Sequence, residues 1–161
     1  MKSITYGDVT MSEVANIIAN RVQNSTTDGY SLMIGTDSQN FDKTKVVVVI
    51  ALYEIHHGGI FFYDVTHVNR LDAIGPKLQY ETQLSLQYAQ ELIAEFEKLF
   101  DKTGFDYTEH MDFAIHVDAG TNGPSKQVIP EIVGWITAMG YKAIIKPESY
   151  AASSIANKIT K

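Results

Sequence analysis

The chain has 161 residues, 45% hydrophobic and 20% charged, with no cysteine and a formal net charge of -6. These values describe an ordinary folded chain of one-domain size and exclude disordered, collagen-like and coiled-coil classes, a disulfide framework and a thiolate metal site. The negative balance leaves no broad basic surface for nucleic acid, although a local cluster remains open.

At the start of the chain, Thr10 and Glu13 have the spacing of a capping box, and Val9 and Val14 that of a hydrophobic staple. Val14, Ile17, Ile18 and Val22 continue as one face of a helix, which the polar run from Asn24 to Gly29 ends. Three strands are predicted next: Tyr30 to Asp37, Lys45 to Ile55 and Ile60 to Val68. A turn at His56, His57, Gly58 and Gly59 joins the second to the third, so the three form an antiparallel meander. After a loop containing Gly75 and Pro76, the spacing of Leu84, Tyr88, Leu92, Ile93, Phe96 and Leu99 predicts a long amphipathic helix from Gln79 to Phe100.

The fourth strand is predicted at Phe113 to Asp118, followed by a helix from Ser125 to Met139 in which Pro130 forces a kink or a restart. A fifth strand, Tyr141 to Lys146, and a last helix, Tyr150 to Ile159, complete the chain. The order after the first helix is βββαβαβα, an α/β class with a five-stranded mixed sheet and helices on its faces. A single domain over residues 1–161 is expected, with residues 1–29 as an N-terminal helical extension. The longest apolar run, Val46 to Tyr53, is far below the ~20 residues of a membrane-spanning helix, and the first residues lack a signal-peptide pattern. No membrane partner and a cytoplasmic location are therefore expected. Oligomeric state stays open, with the strand near Phe61 to Val68 as an edge available for pairing.

Two strands end in the same way. SLMIGTDSQN runs apolar residues into Asp37, and IHVDAGTNGPSK runs them into Asp118 and a glycine-rich loop. Alternation puts Asp37 on the face of Met33 and Gly35, and Asp118 on the face of Ala114 and His116. If the two strands are neighbours, the carboxylates converge. Glu81 falls on or near the inward stripe of the long helix and adds a third acid. Packed together, three carboxylates raise one another's proton affinity unless a cation lies among them, and hard oxygen ligands suit Mg²⁺ or Mn²⁺. Such an ion activates water and stabilises charge on a phosphate. The glycines would then leave space for substrate. The plainer alternatives are that each aspartate ends a strand by bonding turn amides, and that Glu81 complements a helix dipole in the first turn.

The element order, with acids on the first strand, the long helix and the fourth strand, resembles the ribonuclease H fold. More narrowly, IGTDSQ, VDAGTNGPSK and IKPESYAASSIANKITK are similar to the bacterial YkuK family, a ribonuclease H-like group. The resemblance implies that the first and fourth strands lie side by side and that Asp37, Glu81 and Asp118 ligate metal. It also puts Asn157 where a fourth carboxylate stands in the ribonuclease H group. An asparagine oxygen can meet a hard cation but brings no charge.

Ser38, Ser125 and Lys126 are the candidate substrate contacts; Gly123, Ser125 and Lys126 precede or open a helix, whose free amides attract anions. His116 either orients a ligand or serves as a hydrogen-bonded structural residue. His56, His57 and His67 have no ligand spacing, and Lys146 and Lys158 are either nucleic-acid contacts or solvated surface. The function expected is a Mg²⁺- or Mn²⁺-dependent nuclease or phosphoryl-transfer enzyme acting on nucleic acid. The alternative is a degenerate module that binds nucleic acid or a protein without cleavage. A nucleotide phosphate loop, suggested by DAGT at Asp118 to Thr121, fits poorly because such ATPases use two lobes.

Overall fold

The computed structural model describes residues 1–24 and 29–149. The predicted last helix, with Asn157 and Lys158, lies outside the described residues.

Two short strands, β1 (Lys2–Ser3) and β2 (Gly7–Asp8), precede helix α1 (Met11–Asn24). The capping box forms as the spacing predicts: the Thr10 hydroxyl accepts from the Glu13 amide at 3.1 Å, and Glu13 Oε1 accepts from the Thr10 amide at 3.3 Å. Strands β3 (Tyr30–Asn40), β4 (Thr44–Glu54) and β5 (Gly58–Val68) make the antiparallel meander. Helix α2 (Ile74–Thr103), strand β6 (Met111–His116), helix α3 (Ile129–Ala138) and strand β7 (Lys142–Ile144) follow.

Among the described residues there are seven strands in the order β2-β1-β5-β4-β3-β6-β7, rather than the five predicted. The added pair, β1 and β2, has two residues per strand, too few for a side-chain period to be read; β1 joins the sheet through Lys2 opposite Tyr63. The βββαβαβ order and the α/β class hold over the described residues. Helix placement differs in detail. All three described helices pack into one cluster with Leu32, Ile34, Val48, Ile50, Leu52, Phe62 and Ile115, which is one face of the sheet, while Val47, Val49 and Ala51 form a separate cluster on the other. The alternation along β4 sorts its side chains between the two.

Two proline-bearing segments depart from the sequence reading. Helix α2 starts at Ile74 rather than Gln79, with Pro76 inside its first turn, where the missing amide proton has no partner to lose. Helix α3 starts at Ile129, so Pro130 sits in its first turn and neither kinks nor restarts it. Residues Ser125 to Val128 form a turn before the helix.

The register places the site. β3 and β6 run parallel, with Ile34 opposite Ile115 and Gly35 opposite His116. Continuing that register by two residues brings Asp37 beside Asp118. α2 packs across β3 at this end, where the Thr36 and Ser85 hydroxyls are hydrogen-bonded at 2.7 Å.

Candidate active site

Asp37 lies inside β3, which runs on to Asn40, so it does not end the strand. The Ser38 amide donates to its Oδ1 at 2.9 Å, a local bond that fixes the carboxylate's orientation. Burial is the main cause that raises the Asp37 pKa from 3.8 to about 6, followed by repulsion from Asp118. The Asp118 carboxyl is close enough for its charge and its side-chain contact to add to that rise, so a negative charge on Asp37 is disfavoured beside it. Asp118 stands two residues beyond the end of β6, and its Oδ1 meets Lys146 Nζ at 3.0 Å. The turn-amide alternative therefore describes one bond of Asp37 and not the arrangement.

Glu81 is about two turns into α2, too far from its start for the dipole to account for it. It is 6% exposed, and its Oε2 has no hydrogen-bond partner. The Glu81 pKa is pushed well up, first by burial and then by the charge of Asp37, with Asp118 adding to it and Lys77 opposing it. Glu81 lines a small cavity of about 10 Å³ with Thr36, Ser85, His116 and Asp118. That is room for roughly one water.

The three acids are thus brought within electrostatic reach of one another, Asp37 and Asp118 most closely. Their donor chemistry fits a hard divalent cation, and the orphaned Glu81 oxygen is the buried atom such an ion would satisfy. They do not form a ready chelate: among the described residues no group of three or more His, Cys, Asp or Glu side chains stands in a metal-holding arrangement. The Lys146 contact occupies an Asp118 oxygen that a metal would use.

The expected substrate contacts fare differently. Ser38 is buried, 6% exposed, and acts on Asp37 through its amide. Ser125 is 7% exposed and its hydroxyl donates to the Gly120 carbonyl at 3.0 Å, so it braces the glycine-rich loop. Ser125 and Lys126 precede α3 rather than open it, and the Lys126 amide is not free, since it donates to Gly123 O at 3.2 Å. Gly123 has φ 83°, a left-handed turn conformation that favours glycine. The space beside Gly120 belongs to Lys146 rather than to substrate, since a Cβ there would meet Lys146 Cβ at 3.3 Å.

His116 is buried, its pKa is lowered mainly by burial, and its Nδ1 is 3.2 Å from the Ser149 carbonyl oxygen. A neutral ring protonated at Nδ1 donates that bond, which is the structural role. His56, His57 and His67 are exposed, and none lines the cavity beside Glu81.

Lys77 is the residue that sequence reading missed. It lies four positions before Glu81, a helical pairing, and its charge lowers the pKa of both Asp37 and Glu81. The i, i+4 spacing was visible, but only once Lys77 is recognised as part of the helix.

The family profile described as "Ribonuclease H-like" matches residues 13–161. The Bacillus subtilis (strain 168) protein named "Uncharacterized protein YkuK" is 32% identical over 168 residues, covering 99% of this chain and 95% of the relative. The chain belongs to the YkuK family of ribonuclease H-like proteins. No solved structure matches it. A ribonuclease H-like protein is compatible with a function on nucleic acid, and no helix among the described residues is long and apolar enough to cross a membrane.

Proposed function

We propose that this ribonuclease H-like protein is a divalent-metal-dependent nuclease that hydrolyses a phosphodiester of nucleic acid. The observation that carries the reading is the grouping of Asp37, on β3, and Asp118, two residues beyond the adjacent parallel strand β6, with the buried Glu81 and its unpartnered oxygen. Asp37, Asp118 and Glu81 would hold Mg²⁺ or Mn²⁺. Such an ion supplies Lewis-acid stabilisation of the charge that develops on phosphate and lowers the pKa of attacking water. The Ser38 amide holds Asp37 in place, Thr36 and Ser85 fix α2 on β3, and Lys77 offsets part of the negative charge.

A second reading, a binding module without turnover, is favoured by Asn157, which by family resemblance stands where a fourth carboxylate would. Cleavage of labelled single-stranded, double-stranded and hybrid substrates with Mg²⁺ or Mn²⁺ separates the two. Outer partners of metal ligands typically cost about 10–100-fold when removed, so Asp37→Asn and Asp118→Asn, which alter ligands themselves, are each expected to lose at least ~100-fold. No cleavage of any substrate by folded native protein, with binding retained, would select the second reading.

A further inference from the structure

Lys146 is built into the acid site by its backbone. Its amide donates to the carbonyl of Ala119, next to Asp118, at 3.0 Å, and the Val117 amide donates to Ile144 O at 2.8 Å. These bonds lace the β7 segment to the chain that carries Asp118. Gly120 permits the approach, because a side chain there would lie 3.3 Å from Lys146 Cβ and 3.4 Å from its carbonyl oxygen. The side chain then extends to Asp118 Oδ1 at 3.0 Å while staying 55% exposed, against 23% for Asp118. The backbone is anchored by hydrogen bonds, and the charged end is half-exposed beside Asp118.

Lys77 differs from Lys146. It acts on Asp37 and Glu81 through its charge, whereas Lys146 is in direct contact with a carboxylate oxygen. An ion pair this open to water is weak and screened by salt, so the contact can be exchanged for a stronger one. The flexible four-carbon stem of lysine lets the ammonium move while its backbone stays fixed.

We propose that Lys146 is the resident counter-cation of the carboxylate site: it holds Asp118 in the metal-free protein, yields that carboxylate to a divalent cation, and then pairs with a phosphate of the nucleic acid. The proposal rests on the metal-nuclease reading. It gives the IKPES segment a function beside the acids.

Calorimetric titration of the full chain with Mn²⁺ at low salt tests it, comparing native protein with Lys146→Met, Lys146→Gln and Lys146→Arg, each checked for folding by thermal melting. Removing the competing cation is expected to tighten Mn²⁺ about 3–10-fold in both neutral variants, while Lys146→Arg stays within about twofold of native. The apparent affinity for an oligonucleotide is expected to fall in the same neutral variants, opposite in sign to the metal effect. Mn²⁺ binding by the neutral variants but not by the native protein also supports the proposal. If native protein binds Mn²⁺ and both neutral variants bind it equally or more weakly, the Lys146 proposal is overturned while the metal reading stands. If neither native nor neutral variants bind Mn²⁺ at millimolar concentration, both readings fall together.

Discussion

Asp37→Asn should stabilise the metal-free protein at neutral pH. Burial and the neighbouring Asp118 raise the Asp37 pKa from 3.8 to about 6, so folding penalises its ionised form. At about 1.36 kcal/mol per pH unit, that interval corresponds to an upper bound of roughly 3 kcal/mol. Coupling to the neighbouring Asp118 charge and side-chain relaxation reduce the expected gain to about 1–2 kcal/mol. Asparagine keeps the Oδ1 acceptor for the Ser38 amide, now at 2.9 Å, and removes the charge.

The sign follows from proton binding. Between pH 3.8 and about 6 the folded state holds more protons than the unfolded one, so native stability falls as pH rises through that window. Below it the aspartate is protonated in both states and the substitution is nearly neutral. Melting in EDTA at pH 3.5 and pH 7.5 reads the difference directly. For a chain of this size ~1–2 kcal/mol is about 2–8 °C, expected as a rise in the Asn variant at pH 7.5 and absent at pH 3.5. A variant less stable than native at pH 7.5, or an equal shift at both pH values, would refute the reasoning.

Two further predictions concern the scaffold. The Thr36 and Ser85 hydroxyls, paired at 2.7 Å in the interior, should show a coupling of about 1 kcal/mol in a double-mutant cycle of Thr36→Val and Ser85→Ala read by urea unfolding; additive single effects would mean the bond contributes nothing. Thr10→Ala removes the acceptor of the Glu13 amide and should cost about 1 kcal/mol in the same assay, with Thr10→Ser retaining most of the stability.

The sequence determined most of the element order, because that order is written in local patterns. The Thr10 and Glu13 box, the β-branched run of β4 and the helical spacing of Leu84 to Leu99 each state their own conformation within a few residues. It also supplied the acids worth watching. Proline punctuation was less reliable: Pro76 and Pro130 signal a break in isolation, yet both sit in first turns, where an absent amide proton is harmless. That error hid Lys77, whose pairing with Glu81 exists only inside the longer helix.

Tertiary structure alone decided which residues meet. Periodicity says that Asp37 and Asp118 lie near strand ends, but the β3 and β6 register makes them neighbours. Burial, not composition, turns Glu81 from a helix residue into a carboxyl with an unpartnered oxygen. Lys146 looks like surface in the sequence and becomes a partner of Asp118 because the backbone of a distant segment is hydrogen-bonded to Ala119. Local propensities act over one or two turns, whereas these contacts depend on strand order and loop packing, which only the assembled sheet specifies.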